Sequence, residues 1–343
     1  MSGAARVWLL TGRRRGDAAQ ARALAEDLGL PWRELRLDHG PLRELPNALL
    51  GASLASLRAR PEELVPPWPD LVIGVGRRTV PAARWIRWRS GHRTRLVQIG
   101  RPRAPLHWFD LVLSTPQYGL PDAPNVVRLA LPWQAPLSVP ASAGPGAHVL
   151  AVLGGDSWSV RLGDAETKAL AGAARTRAET LGLPVGAIAS PRTPATLAAL
   201  LRGLLRRGDR FHDFATGEGN PYRDLLSAAA EVVVTGDSAS GLAEAAWTGR
   251  PVAVVPVRER AWLRALDRMG GSAARGWRRH GGNLGLGAPP PRVKSLHESL
   301  VARGLAHTEG GLLHVPPCRP ILEADRRIAL DRIRDLIFDL AAH

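Results

Sequence analysis

The chain has 343 residues, room for two domains of ordinary size, and 45% of them are apolar, enough for real cores. Its net charge of +15 is carried almost wholly by arginine, since Lys168 and Lys294 are the only lysines. The single cysteine, Cys318, excludes an internal disulfide and fits a reducing compartment, no apolar run approaches the roughly 18 residues of a membrane span, and the apolar stretch at residues 7–10 is too short for a signal peptide; these features predict a cytoplasmic protein, free to lie peripherally at the inner face of a membrane.

Strand and helix signals alternate from the start. Residues 6–11 predict a strand, 17–28 a helix stopped by Gly29 and Pro31, 33–37 a weaker strand, and 46–59 a helix. Residues 70–76, 95–100, 110–114 and 126–129 read as strands, with a helix over 79–89. Such alternation predicts a parallel sheet covered on both faces. The Pro- and Gly-rich stretch 132–146 is the best domain boundary. Beyond it the plan restarts: strands at 148–153, 185–189 and 211–215, helices at 164–181, 194–205 and 221–230. Residues 231–256 then give a compact βαβ unit: a valine run, a polar turn, a small-residue helix stopped by Gly249, and a second apolar run after Pro251. A Gly-, Arg- and Pro-rich loop at 275–291, a helix at 295–303 and a closing amphipathic helix at 325–340 complete the chain.

Four polar turns follow predicted strands, where open α/β sheets place ligands. The first contains Gly12, Arg13, Gly16 and Asp17; glycines permit a tight turn, and Asp17 is placed either to cap the next helix or to act as a base. The second contains Gly154, Gly155 and Ser157, suited to a diphosphate. The third contains Glu218 and Asn220 before Pro221. The fourth contains Thr235, Asp237, Ser238 and Ser240, with Glu244 one helical turn beyond Ser240. Asp237 or Ser238 can cap that helix, and a carboxylate near its start can accept ribose hydroxyls; a solvated Glu244 is the plain alternative.

Nine arginines and no acid lie between Asp70 and Asp110, a basic field that attracts phosphates. Within it Arg84, Trp85, Arg87 and Trp88 interleave on one helix, a pattern that favours anionic membrane surfaces. An arginine-rich solvated face with its tryptophan in the core is the equal alternative. Gly74-x-Gly76-x-x-Thr79 lacks the third glycine and the following acid of a dinucleotide fingerprint. There is no Walker loop, no Gly-x-Ser-x-Gly elbow and no Asp-x-Asp pair. His297, His307, His314 and Cys318 lack zinc spacing, so no metal is expected. No recognised nucleic-acid module is present, and no nucleic-acid partner is expected.

Several segments carry a family resemblance: Leu10-Thr11-Gly12 with Gly16 and Gln20, Asp70-Leu71-Val72-Ile73, Phe109-Asp110-Leu111-Val112, Gly154-Gly155, Glu218-x-Asn220-Pro221-Tyr222, and above all Val234-Thr235-Gly236-Asp237-Ser238-x-Ser240 with Glu244-Ala245 and Thr248-Gly249-x-Pro251-Val252. In these the chain resembles bacterial relatives of the plant mitochondrial-fission (elongated mitochondria) protein, a family regarded as sugar transferases of the two-domain B type. The last motif is also similar to the donor-binding segment of such transferases. The resemblance implies two Rossmann-like domains facing across a cleft: an acceptor domain at 1–135, a linker at 136–146, a nucleotide-sugar domain at 147–320, and a closing helix at 321–343 packing back. It implies a metal-independent glycosyltransferase with no cofactor beyond a nucleotide sugar as co-substrate, acting on an envelope or lipid-linked acceptor. Glu244 would hold ribose, the residues of the second, third and fourth turns would hold the donor, and the first turn would face the acceptor with Asp17 as base. This chain places three arginines in that first turn, where relatives carry more glycine. An epimerase of the same fold and a non-enzymatic membrane-associated scaffold are the alternatives.

Overall fold

The computed structural model describes residues 5–13, 15–137, 146–157, 159–213, 221–263, 265 and 291–341. They form two compact α/β units, the first built from residues 5–135 and 323–341, the second from residues 136–265 and 292–322.

The first unit opens with β1 (Val7–Thr11), α1 (Arg15–Leu28), β2 (Trp32–Arg36), the short α2 (Asn47–Leu50) and β3 (Leu71–Val75). It continues with α3 (Val80–Arg89), β4 (Arg95–Ile99), β5 (Leu111–Ser114) and β6 (Val126–Arg128). All six strands are parallel, in the order β2-β1-β3-β4-β5-β6. Every residue of β1 and β3 is buried, because helices cover both faces. Side chains alternate accordingly. Val7, Leu9, Leu71 and Ile73 pack with α1 (Ala21, Leu24, Leu28), whereas Trp8, Leu10 and Val72 pack with α3 (Val80, Ala83, Ile86).

The second unit contains β7 (His148–Leu153), α4 (Asp164–Leu181), β8 (Val185–Ala189), α5 (Ala195–Leu204), β9 (Arg210–Asp213), α6 (Tyr222–Ser227), β10 (Ala229–Thr235), α7 (Ala239–Trp247) and β11 (Val252–Val255). After these come α8 (Val293–Ala302), β12 (His307–Glu309) and β13 (Leu312–Val315). Its sheet runs β12-β13-β11-β10-β7-β8-β9, parallel except for the antiparallel edge made by β13 and β12. Leu170, Ala174 and Ala178 of α4 and Leu197 and Leu201 of α5 cover Val149, Ala151, Val233 and Ala253 on one face.

The final helix, α9 (Arg319–Ala341), lays Ala329 and Ile333 into the α1 side of the first core. Asp325 Oδ2 accepts from the Ala130 amide at 2.6 Å, and Arg326 pairs with Asp27, which also accepts from Trp133 Nε1 at 2.8 Å. This helix starts earlier than residue 321, because Pro320 lies in its first turn, where a missing N–H costs nothing. The expected helix over 46–59 shrinks to Asn47–Leu50: Gly51, at φ +59°, ends it. Residues 229–230 belong to β10 rather than to the preceding helix, and the β12–β13 hairpin was not expected.

Candidate functional site

Strand order in the second sheet reverses between β7 and β10, since β8 and β9 extend to one side of β7 and β10 and β11 to the other. Such a switch point leaves a crevice at the carboxyl ends of the two strands. Gly154 and Gly155 follow β7 there, and Gly236 and Asp237 follow β10. The two turns are laced together. The Gly154 amide donates to Thr235 Oγ1 (2.8 Å), that hydroxyl donates to Asp237 Oδ1 (2.7 Å), and the Gly155 amide donates to Asp237 Oδ2 (3.1 Å).

Arg192, on the turn between β8 and α5, completes the knot. Its Nη2 lies 3.2 Å from Asp237 Oδ2, and its Nη1 donates to the Asp156 carbonyl at 3.3 Å. The Asp237 side chain has no exposed surface. Burial pushes its carboxyl above the ordinary carboxylate range, against the pull of Thr235, the Gly155 amide and Arg192. A Cβ at Gly154 would fall 1.9 Å from Asp237 Oδ1, and one at Gly155 would fall 2.3 Å from the Arg192 backbone. Both positions therefore require glycine for close approach, and both amides already have acceptors inside the protein. The expectation that this turn's amides hold phosphate thus gives way to a role in shaping the crevice. Asp237 likewise organises the turn instead of facing a ligand.

Ser238 caps α7, its Oγ accepting from the Gly241 amide at 3.2 Å. Ser240 lies half-buried in the first turn of α7. Glu244, one turn on, accepts a hydrogen bond from the Tyr222 hydroxyl; burial pushes its carboxyl upward, with Tyr222 and the charge of Arg223 opposing. Burial, and then the Glu244 charge, push the Tyr222 phenol up as well. Ser157 closes its own turn, accepting from the Val160 amide at 3.1 Å. Glu218 and Asn220 lie outside the described residues.

Beside the knot, at the ends of β10 and β11, is a cavity of about 530 Å³ whose lining includes Ser159, Gly236, Arg258, Lys294, His297 and Glu298. Glu259 and Arg292 form a bidentate pair in its wall, at 2.7 and 3.2 Å. Burial lowers the His297 imidazole to about 4, so it is neutral near pH 7. Its Cε1 lies 2.8 Å from where a Cβ on Gly236 would sit, which fixes a third glycine at the site. Sequence reasoning weighed His297 only as a zinc ligand and passed over Arg192. The signal for Arg192 was its place in a turn directly after a strand.

In the first unit the order reverses between β1 and β3. Gly12 and Arg13 follow β1, and Arg13 Nη2 pairs with Asp38 Oδ1 at 2.9 Å. α1 begins at Arg15, so Gly16 and Asp17 lie in its first turn, and Asp17 is not the cap residue. There it still favours the positive end of the helix. Asp17 Oδ2 lies 3.7 Å from the position a Cβ on Gly76 would take, which sets it against the turn after β3.

The basic field of residues 70–110 is interrupted in space. Glu44 pairs with Arg77 (2.7 Å) and Arg78 (2.8 Å), and Asp110 pairs with Arg87 (3.0 Å) and Arg95 (3.4 Å). Arg84 stacks on Trp108, its Cζ 3.4 Å from the ring centroid, and Trp85 packs edge-on against Trp68. Of the four residues expected to face a membrane, Arg84, Trp85 and Arg87 thus have partners inside the unit, and Trp88 is the one that stands exposed, at 55%.

These observations define a two-unit, doubly wound α/β protein with a polar turn at each topological switch point. The chain belongs to the Mitochondrial fission ELM1 family, whose model matches residues 15–268. It is 27% identical over 228 residues to the mitochondrial fission protein ELM1 of Arabidopsis thaliana, covering 57% of this chain and 53% of that protein. An uncharacterized protein of Rickettsia prowazekii is 30% identical over 109 residues, 31% of this chain and 30% of that one. The chain therefore spans about half, or less, of the length of the curated relatives it matches. Among solved structures it aligns with Acinetobacter baumannii MurG (13% identity, 98% of this chain and 100% of that chain, TM-score 0.42). It also aligns with the UDP-N-acetylglucosamine 2-epimerases of Neisseria meningitidis (13%, 96% and 100%, 0.43) and Rickettsia bellii (11%, 98% and 98%, 0.44).

Proposed function

We propose that the second unit binds a nucleotide diphosphate sugar and that the protein transfers the sugar, without a metal, to an envelope or lipid-linked acceptor presented to the first unit. The observation that carries this reading is the laced pair of turns at the β7/β10 switch point, opening beside a cavity of about 530 Å³ whose lining holds the cations Arg258, Arg292 and Lys294, the last two paired with Glu259 and Glu298. A crevice of that kind suits a nucleotide, whose phosphates seek cations and helix-start amides. The helix amides of Ala239 and Ser240 and the Ser240 hydroxyl would meet the diphosphate. Glu244, oriented by Tyr222, would accept from ribose hydroxyls. Fixed donors of this kind stabilise a departing diphosphate. Asp17 would take the acceptor proton.

Isothermal titration with UDP, GDP, ADP and CMP, and with their sugars, tests the binding half. One nucleotide should bind, and Glu244→Ala should weaken it by about tenfold to a hundredfold, the loss of one hydrogen bond to a charged group. No binding by any of them, or unchanged binding in Glu244→Ala, would overturn the reading. Asp17→Asn should abolish transfer and leave nucleotide affinity intact. NMR of the sugar nucleotide with protein alone separates transfer from epimerisation, which needs no acceptor.

A further inference from the structure

The segment between β2 and β3 carries an exposed apolar ridge that neither half of the proposed function uses. Leu42, Leu45 and Leu49 are 48%, 40% and 75% exposed within eight residues. The ridge is held at the carboxyl edge of the first sheet. Asn47, itself buried, donates from Nδ2 to the carbonyls of Arg77 (2.9 Å) and Pro102 (2.8 Å), joining the turns after β3 and β4. Arg77 Nη1 donates to the Leu45 carbonyl at 3.4 Å. Arginines surround it: Arg43, Arg77 and Arg78 all converge on one carboxylate, Glu44, at 3.0, 2.7 and 2.8 Å. Arg103 stands close enough for its charge to act on Arg77, and the acidic charge acting on Arg103 is again Glu44. Four cations therefore share one acid around three solvent-facing leucines.

Apolar side chains that enter the headgroup boundary, rimmed by arginines that meet anionic headgroups, are what interfacial binding needs. We propose that the 41–50 segment, with Arg43, Arg77, Arg78 and Arg103, is a membrane-contact surface for an anionic lipid bilayer. This moves the membrane face away from Trp88. Trp88 lies in the last turn of α3, whereas Arg77 and Arg78 precede its first turn, about 15 Å away along the helix axis. The proposal stands apart from the donor site, since its readout involves no nucleotide.

Vesicle co-sedimentation of the full chain tests it, comparing phosphatidylcholine vesicles with vesicles that also contain phosphatidylglycerol. The chain should partition onto the anionic vesicles and leave them as salt rises. Leu42→Gln/Leu45→Gln/Leu49→Gln should lower partitioning by about tenfold or more. Arg43→Gln/Arg78→Gln should lower it about fivefold per charge. Trp88→Ala should bind as the parent does. A thermal melt of each variant shows that the fold is kept, and the two multiple variants alter different chemistry on the same ridge. The proposal is overturned if the chain ignores both kinds of vesicle or binds both equally. It is overturned equally if the leucine variant binds normally, or if Trp88→Ala alone releases the protein.

Discussion

Replacing Gly154 by alanine should unlock the knot between β7 and β10. The new methyl would lie 1.9 Å from Asp237 Oδ1 and 2.4 Å from Cγ. The Asp237 carboxylate has nowhere to retreat, because Thr235 holds one oxygen and the Gly155 amide and Arg192 hold the other. Relieving the clash breaks at least two of these contacts around a carboxylate with no exposed surface. Each hydrogen bond to a charged group contributes about 1.5–3 kcal/mol, so Gly154→Ala should cost about 3–5 kcal/mol. Asp237→Ala should cost about 3 kcal/mol by leaving the Gly155 amide and the Arg192 guanidinium without their acceptor. The two effects share one cause, so the double variant should cost little more than Asp237→Ala alone, giving a coupling as large as the Gly154→Ala cost itself, about 3–5 kcal/mol. Urea unfolding of the parent, both single variants and the double variant measures this. Additive costs, or a Gly154→Ala cost under about 0.5 kcal/mol, would refute the claim that glycine is required here by close approach to Asp237.

Three further outcomes follow from other parts of the molecule. The folded-state His297 imidazole lies near 4, below its ordinary 6.5, so between these values the unfolded chain takes up a proton that the folded one refuses. Its stabilising effect is complete above pH 6.5 and falls by about 3 kcal/mol as the pH drops to 4; unfolding across that window should show a shallower slope in His297→Phe, with His39 and His148, shifted the same way, leaving a residual slope. Asn47→Ala removes the donor shared by the Arg77 and Pro102 carbonyls and should cost about 2 kcal/mol in urea unfolding. Tyr222→Phe deprives the Glu244 carboxylate of its donor and should raise that carboxyl further, visible by NMR titration as a later midpoint than in the parent.

Much of the fold is legible in local patterning. Largely apolar runs such as those of β1 and β3 announce strands buried on both faces, and Gly29 and Gly249, both at positive φ, mark helix ends. The failures share a cause. Whether the chain around Leu42, Leu45 and Leu49 is helical depends on Gly51 and on the reach of Asn47 to the turns after β3 and β4, 30 and 55 residues away. The arginines of residues 70–110 look unopposed only because Glu44 lies upstream in sequence and Asp110 at the margin of the segment.

The site itself divides along the same line. Residue types at the ends of strands could be read directly, because a glycine pair or a Ser-x-Ser after a valine run is a local signal. Their roles could not, because roles depend on which strands become neighbours. β7 and β10 are separated by 75 residues from the end of one to the start of the other, yet they pair. That pairing turns Asp237 from a ligand candidate into the anchor of the Gly155 amide, and it brings in Arg192, whose one local sign is its place in the turn after β8. Once Asp237 is committed to the knot, the groups on which the proposed donor site relies are the start of α7, Ser240 and Glu244 with Tyr222, together with the cavity lined by Arg258, Lys294, His297 and Glu298. The nucleotide reading therefore stands on the reversal of strand order more than on any one residue, and Glu244→Ala tests it more sharply than a change at Asp237, whose loss would disturb the turn whatever the ligand.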